Sequence, residues 1–149
     1  MTVWRLHQAD FEPHNFTGAM LYGGRYNSIG NGALYTSSSA SGTILELRVH
    51  LKRIPAQQYK MSTCRLNKSL LRKFRIKDIP SWNNAVLGRP QAFGDMQLAD
   101  PTIPGFLAPS VTSSGMDSMV VLNPIHPAFT KLIWTSVDFE FDTRLWVAT

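Results

Sequence analysis

The chain has 149 residues, of which 44% are hydrophobic and 17% are charged. This length and balance fit one domain with a buried core, and they exclude a disordered chain and a fibre. The formal net charge of +5 leaves a nucleic acid or an acidic protein open as a partner.

Cysteine usage and the first residues favour the cytoplasm. The single cysteine, Cys64, excludes an intrachain disulfide, so nothing requires an oxidising compartment. No apolar run approaches the roughly 20 residues that cross a bilayer, and residues 1–5 lack the apolar stretch of a secretion signal. We therefore expect a cytoplasmic protein without a membrane partner.

The first elements are predicted from alternating and turn-forming residues. Residues 3–7 alternate weakly in polarity, which indicates a strand, and residues 33–37 have the composition of a second, short strand. Between them, residues 15–31 are rich in Gly, Asn and Tyr, as is typical of a long loop. Loops of this length tend to carry function.

Residues 44–54 fit two kinds of element. Their apolar side chains alternate as in a strand, but they also recur at the three- and four-residue spacing of a helix. Thr43 followed by Glu46 matches a capping box, which is a helix-start signal. This signal favours the helix.

The later elements mix strands and short helices without an internal repeat or a linker. The predicted strands cover residues 58–66, 119–123, 129–137 and 139–147, and the predicted helices cover residues 67–74 and 92–99. The fold class that follows is α+β, in one domain over residues 1–149.

Basic residues are concentrated in one part of the chain. Residues 48–77 contain ten Lys and Arg and no acidic residue. Such a block is either a solvated face or a surface for phosphates or an acidic partner. Only Tyr59 and Phe74 are interleaved with the charges, which argues against direct nucleic-acid binding.

Several familiar kinds of active site are absent from the sequence. No His-Glu-x-x-His or Cys-x-x-Cys occurs, and the four histidines lack metal-ligand spacing, so no metal site is expected. Tyr35 stands where a dinucleotide fingerprint would place its third glycine, and no serine or cysteine triad is apparent. Before residue 78 the only acids are Asp10, Glu12 and Glu46, so a pair of catalytic carboxylates is also unsupported.

Short motifs along the whole chain resemble the RES domain. In chain order they are Gly23-Gly24-Arg25-Tyr26-Asn27-Ser28-x-Gly30, Leu34-Tyr35-Thr36-Ser37, Leu45-Glu46-x-x-x-His50-Leu51, Phe93-Gly94-Asp95, Ala108-Pro109-Ser110, Asn123-Pro124-x-His126-Pro127 and Phe141-Asp142-x-Arg144. Two features depart from the family pattern. Tyr26 stands where a Trp is common, and residues 113–118 replace a stretch richer in Pro, Glu and Asn.

The resemblance implies a single RES domain with a fold related to ADP-ribosyltransferases, in which central antiparallel sheets are flanked by short helices. It also implies a bacterial toxin that degrades NAD+ by phosphorolysis or hydrolysis, with inorganic phosphate as a possible co-substrate and no resident cofactor. The expected partner is a helix-turn-helix antitoxin that neutralises the toxin in a hetero-oligomer. Carried over by position, the catalytic set is Arg25, Tyr35, Glu46 and Ser110, and the NAD+-binding set is Arg25, Asn27, Ser28 and Tyr35.

The chemistry of these residue types agrees with that set. Nicotinamide leaves NAD+ as a neutral pyridine, so the reaction needs a stabilised oxocarbenium-like sugar rather than a proton donor, and one carboxylate can provide it. Arg25 offers a planar fork for a phosphate. Taken singly, each residue also has an ordinary reading: Glu46 as a cap, Arg25 as a loop charge, Tyr35 as core and Ser110 as a turn former.

Other functions remain open at this point. An ADP-ribosyltransferase that modifies a protein could use the same residues. A basic nucleic-acid-binding module would show no turnover and a steep dependence of affinity on salt. A ribonuclease would need a general acid and base, for which His7, His50 and the lysines are the candidates.

Overall fold

The computed structural model describes residues 1–84 and 88–147, which form one seven-stranded sheet with the strand order β4-β5-β6-β2-β1-β3-β7. Every neighbouring pair is antiparallel except β4 and β5. The strands are β1 Thr2–Gln8, β2 Leu34–Ser37, β3 Tyr59–Arg65, β4 Arg72–Lys73, β5 Gly105–Pro109, β6 Ser118–Leu122 and β7 Trp134–Phe139. The predicted α+β class is confirmed, although the strands form one sheet rather than several.

Helices cover parts of this sheet. The α-helices are α1 Thr17–Tyr22, α2 Ala40–His50 and α3 Gly88–Leu98, and short 3-10 turns cover Lys68–Leu70, Ile76–Asp78, Phe129–Lys131 and Thr143–Trp146. No helix within the described residues has both the length and the apolar character of a membrane span. The predicted helix at residues 44–54 is confirmed in type, but it begins and ends four residues earlier.

The start of α2 corrects the reason for that prediction. Ser39 is the N-cap, and its hydroxyl accepts a hydrogen bond from the Gly42 N–H at 2.9 Å. Thr43 lies inside the first turn and donates to the Ala40 carbonyl at 2.7 Å. Glu46 is therefore not part of a capping box, and its carboxylate is free for other contacts.

Each face of the sheet carries its own apolar cluster. Consecutive strand residues alternate between the two clusters: Leu34 lies in one and Tyr35 contacts the other, and Val120 and Val121 are divided in the same way. This is the two-residue period of a strand that is buried on both faces. The cluster around Tyr26 and Phe106 lies on the face covered by α3, where the Arg25 loop also packs.

Four other predicted elements differ from the structure. Residues 15–31 include the short helix α1, and residues 67–74 form a 3-10 turn followed by the two-residue strand β4 instead of a basic helix. The two predicted terminal strands are replaced by one strand, β7, which crosses the predicted boundary near Asp138. Strand β5, Gly105–Pro109, is not predicted at all.

The basic residues of β3 and of β4 lie on well-separated strands of the sheet. Strand β3 carries Lys60 and Arg65 near one end of the sheet, whereas β4 carries Arg72 and Lys73 at the opposite edge, about 24 Å away at the usual strand spacing. Arg72 also forms an ion pair with Asp100 at 3.7 Å. Charged residues on an edge strand prevent edge-to-edge pairing, which is a structural reason for this part of the block.

His7 gives the fold a predicted pH dependence. The side chain is 6% exposed, its Nδ1 donates to the Gln8 carbonyl at 2.9 Å, and its Nε2 accepts from the Ser62 hydroxyl at 2.7 Å. Burial, aided by the charges of Arg5 and Lys60, lowers the pKa of His7 below 6.5. The unfolded chain then binds a proton that the folded chain does not, so stability falls as pH decreases through 6.5.

We expect urea denaturation between pH 7.5 and 5 to show this loss, with a slope of at most about 1.4 kcal/mol per pH unit. The variant His7→Gln should remove this part of the slope, because the amide does not titrate. Equal slopes in the two proteins would contradict the assignment to His7.

Candidate active site

Two glycines shape the loop that carries Arg25. Gly23 has φ +74°, a left-handed conformation that favours glycine, and its N–H closes α1 on the Ala19 carbonyl at 2.8 Å. Gly24 lies against the ring of Tyr35, and a Cβ added there would meet the Tyr35 hydroxyl oxygen at 2.7 Å. The absence of side chains therefore lets this loop pack directly on β2.

Asn27 and Tyr35 fix the shape of this loop through their polar groups. Asn27 is fully buried, and its Nδ2 donates to the carbonyls of Ala19 and Asn31, both at 2.8 Å. Its Oδ1 accepts from the Tyr35 hydroxyl at 2.6 Å, and the same hydroxyl accepts from the Tyr26 N–H at 2.9 Å. Burial raises the pKa of Tyr35, so its hydroxyl stays protonated and can donate. These groups are used inside the loop, and direct contact with substrate stays a prediction for both residues.

Helix α3 holds the other side of the loop. The Asp95 carboxylate accepts from the Ser28 N–H at 3.0 Å and from the Ser28 hydroxyl at 2.5 Å. Asn31 also donates to the Ser28 hydroxyl oxygen at 3.1 Å. Ser28, predicted as an NAD+-binding residue, thus has its main-chain and side-chain donors on Asp95 in this structure.

Arg25 is held by carbonyls rather than by a carboxylate. Its Nη1 donates to the main-chain oxygens of Trp82 at 3.2 Å and Asn84 at 3.1 Å. No ion pair involves Arg25 within the part of the chain that the structure describes. No carboxylate of the described residues therefore neutralises the guanidinium, and its further N–H donors suit an anion such as a phosphate.

Trp82 connects the Arg25 loop to the segment that ends in Ser110. Its carbonyl accepts from Arg25, and its indole Nε1 donates to the Pro109 carbonyl at 2.7 Å. Pro109 is the last residue of β5 and directly precedes Ser110. One residue thus contacts both halves of the predicted site.

Glu46 meets Ser110 and Thr112 above the end of β5. Its Oε1 accepts from the Thr112 hydroxyl at 2.8 Å and from the Ser110 hydroxyl at 3.2 Å. The two hydroxyl oxygens lie 3.0 Å apart, and Ser110 is 3% exposed. Of the predicted set, Glu46 and Ser110 are therefore in direct contact.

The charges of both Glu46 and Arg25 affect the hydroxyl of Tyr26. Burial raises the pKa of its hydroxyl to about 12, while the charge of Arg25 lowers that pKa and the charge of Glu46 raises it. Both charges therefore act on one hydroxyl. The structure brings Arg25, Tyr35, Glu46 and Ser110 into one region through Tyr26 and Trp82, although these four residues do not all touch one another.

The Tyr26 hydroxyl is buried without a hydrogen-bond partner within the described residues, and its ring packs edge-on against Phe106 at 5.5 Å. A buried hydroxyl without a partner costs about 1–3 kcal/mol. We expect Tyr26→Phe to raise the free energy of unfolding by about 1 kcal/mol, because it removes the hydroxyl and keeps the ring. Chemical denaturation measures this, with Tyr22→Phe on a residue that is 81% exposed as the control. A loss of stability would mean that the hydroxyl has a partner in solution.

Sequence reasoning missed three residues of this site. Asp95 lies within a family motif but carries no assigned role there, while Trp82 and Thr112 have no local signal at all. Each makes its contact with a residue more than fifty positions away in the chain. No group of three His, Cys, Asp or Glu that could hold a metal ion occurs among residues 1–84 and 88–147.

Sequence comparison finds relatives along the whole chain. The family model for the RES domain matches residues 2–143. A protein named Toxin Res from Photorhabdus laumondii is 31% identical over 152 residues, with 97% of each chain covered. A second protein named Toxin Res, from Yersinia enterocolitica, is 29% identical and covers 97% of this chain and 99% of its own.

Structural comparison supports the same fold. The M. tuberculosis MbcT–MbcA toxin–antitoxin complex contains a chain that matches this one with a TM-score of 0.73 and 20% sequence identity. The match covers 93% of this chain and 83% of that one. At this identity the likeness concerns the fold, and the α+β architecture is common to both proteins.

Proposed function

The chain belongs to the RES domain family, and on that basis we propose that it is the toxin of a bacterial toxin–antitoxin system that cleaves the nicotinamide–ribose bond of NAD+. The names of the two Toxin Res relatives and the toxin–antitoxin complex with the same fold support the toxin role. The observation that carries the chemistry is the Glu46 carboxylate, held through one oxygen by Thr112 and Ser110.

Glu46 is proposed as the group that stabilises the transition state. Cleavage of the bond turns the pyridinium of NAD+ into neutral nicotinamide and leaves positive charge on the ribose. A carboxylate that is already oriented stabilises this developing charge without reorganising during the reaction. Because Oε1 is bound to two hydroxyls, Oε2 is the oxygen available to the ribose; it forms no hydrogen bond with the described residues.

Arg25 is proposed to bind phosphate. In the structure it donates to two carbonyls at 3.1–3.2 Å, which are neutral acceptors that an anion can replace. The anion is the pyrophosphate of NAD+ or an inorganic phosphate co-substrate. Tyr35, Asn27 and Ser28 shape this loop, and the ring of Tyr35 is proposed to line the nicotinamide side of the site.

The acceptor of the ADP-ribosyl group determines the class of the enzyme. Phosphate makes it an NAD+ phosphorylase, and water makes it an NAD+ glycohydrolase. An ADP-ribosyltransferase acting on a protein would use the same Arg25 and Glu46, so it is kept as the alternative. The separation of the basic residues of β3 from those of β4 disfavours a nucleic-acid-binding module built on one compact basic patch.

The proposed partner is a helix-turn-helix antitoxin that forms a neutralised hetero-oligomer with the toxin in the cytoplasm. A toxin that consumes NAD+ harms the cell in which it is made, so a protein inhibitor is needed during growth. The MbcT–MbcA complex, a toxin–antitoxin complex that contains a chain of the same fold, supports an antitoxin as the partner.

The experiment that tests the function mixes purified protein with NAD+, with and without inorganic phosphate. Proton NMR follows nicotinamide and phosphorus NMR follows the nucleotide product. We expect nicotinamide release, with a new phosphorylated product only in phosphate for a phosphorylase and with ADP-ribose for a glycohydrolase. Folded, antitoxin-free protein that releases no nicotinamide in either buffer would refute NAD+ cleavage, and transfer to a protein would then be tested with labelled NAD+.

A further inference from the structure

Two hydroxyls contact the same oxygen of Glu46, and the geometry points to different tasks for them. We propose that Thr112 is the positioning residue that holds Glu46, and that this leaves the Ser110 hydroxyl available to donate to the substrate. The inference rests on the proposed NAD+ cleavage. It concerns Thr112, which directly precedes residues 113–118, the stretch that departs from the family pattern.

The number of hydroxyl protons supports this division of tasks between Thr112 and Ser110. Each hydroxyl has one proton to donate, and the Glu46 oxygen lies 2.8 Å from Thr112 but 3.2 Å from Ser110. Hydrogen bonds from a hydroxyl to a carboxylate are normally short, so the Thr112 proton lies on Glu46. The Ser110 proton then has two longer choices, Glu46 at 3.2 Å and the Thr112 oxygen at 3.0 Å. The Ser110 proton can therefore turn to a ligand with the smaller loss of hydrogen-bond energy.

The loop that carries Thr112 is held rigidly. The Ser110 N–H donates to the Asp117 carbonyl at 2.9 Å, and the Gly115 N–H donates to the Ser110 carbonyl at 2.7 Å. Ser114 and Gly115 both have left-handed φ angles, +54° and +83°. These bonds close the loop on itself, so the Thr112 side chain has little freedom to leave Glu46.

The same loop is attached to the helix that bears Glu46. The hydroxyl of Ser39, the N-cap of α2, donates to the Asp117 carboxylate at 3.1 Å. On the next strand, the Ser118 N–H donates to the Ser38 hydroxyl at 2.9 Å. The loop that bears Thr112 is therefore bound to the start of the helix that bears Glu46, which fixes the two side chains relative to each other.

The residue types agree with these tasks. Threonine is branched at Cβ, which restricts its χ1 angle and suits a side chain that keeps one contact. Serine is unbranched, and its hydroxyl turns with less hindrance. Ser110 is 3% exposed, so its proton is donated inside the site rather than to bulk water.

The test compares Thr112→Val, Thr112→Ser and Ser110→Ala with the wild type in the nicotinamide-release assay. Thr112→Val keeps the shape and removes the hydroxyl, so we expect kcat to fall about 10- to 100-fold with KM changed less than about threefold. Thr112→Ser restores the hydroxyl and should return kcat to within about threefold of the wild type. Ser110→Ala should act mainly on KM, raising it about tenfold.

Each other outcome has a separate meaning. A wild-type kcat in Thr112→Val overturns the inference, and so does equal damage by Thr112→Val and Thr112→Ser, which would indicate a structural effect. Ser110→Ala with a normal KM and a low kcat would overturn the division of tasks. If the wild type itself releases no nicotinamide, the proposed function fails and the inference fails with it. Melting temperatures check folding, and Thr112→Ala replaces the valine variant if that variant is unfolded.

Discussion

Replacement of Glu46 by glutamine is expected to lower nicotinamide release from NAD+ by about 100-fold or more. The amide has the shape of the carboxylate, and its oxygen can still accept from Thr112 and Ser110. It lacks the negative charge that faces the developing positive charge on the ribose. The loss should therefore fall on kcat rather than on the fold.

Steady-state kinetics measures kcat, and thermal melting measures the stability of the fold. Glu140→Gln is the matched control, because it makes the same chemical change at an exposed position after β7. We expect Glu46→Gln to melt within a few degrees of the wild type, and the control to keep both rate and stability. A Glu46→Gln variant within tenfold of the wild-type kcat would remove Glu46 from the proposed chemistry.

Gly94→Ala is expected to lower the free energy of unfolding by about 3 kcal/mol or more. A Cβ at this position would collide with the main-chain carbonyl of Tyr26 and with the Tyr26 Cβ. Alanine normally favours a helix over glycine by about 1 kcal/mol, so a loss would come from this contact alone. The melting temperature should fall by about 10 °C for a domain of this size.

The same helix provides the control for that prediction. A Cβ added at Gly88, the first residue of α3, meets no heavy atom of the described residues within 4 Å. We expect Gly88→Ala to change the stability by no more than about 1 kcal/mol, in the favourable direction. If Gly94→Ala is as stable as Gly88→Ala, α3 does not pack on the Arg25 loop as closely as the structure shows.

Helix α2 shows how a local pattern can indicate an element and still mislead about its start. The spacing of apolar residues fits both a strand and a helix, the capping-box match favours the helix, and the structure confirms a helix. Thr43 and Glu46 match a capping box, but Ser39 is the N-cap because β2 ends at Ser37 and the chain turns there. Only the position of the strand excludes Thr43 as the start of the helix.

Residues 67–74 show tertiary pairing overriding local preference. Their composition favours a basic helix, yet Arg72 and Lys73 pair with Phe106 and Leu107 as the parallel edge of the sheet. The partner strand, β5, has no strong strand signal, because it begins at a glycine and ends at a proline. Neither segment is predictable as a strand without the other.

The sequence by itself determined the α+β class, strands β1, β2, β3 and β6, helices α2 and α3 and the order of the family motifs. These features depend on periodicity and turn chemistry within short windows, which the sequence displays directly. Only the tertiary structure showed that Thr112 binds Glu46, that Asp95 binds Ser28 and that Trp82 accepts from Arg25, pairs separated by 66, 67 and 57 positions. Such contacts depend on the order of strands in the sheet and on where each loop crosses it, and no local pattern encodes either.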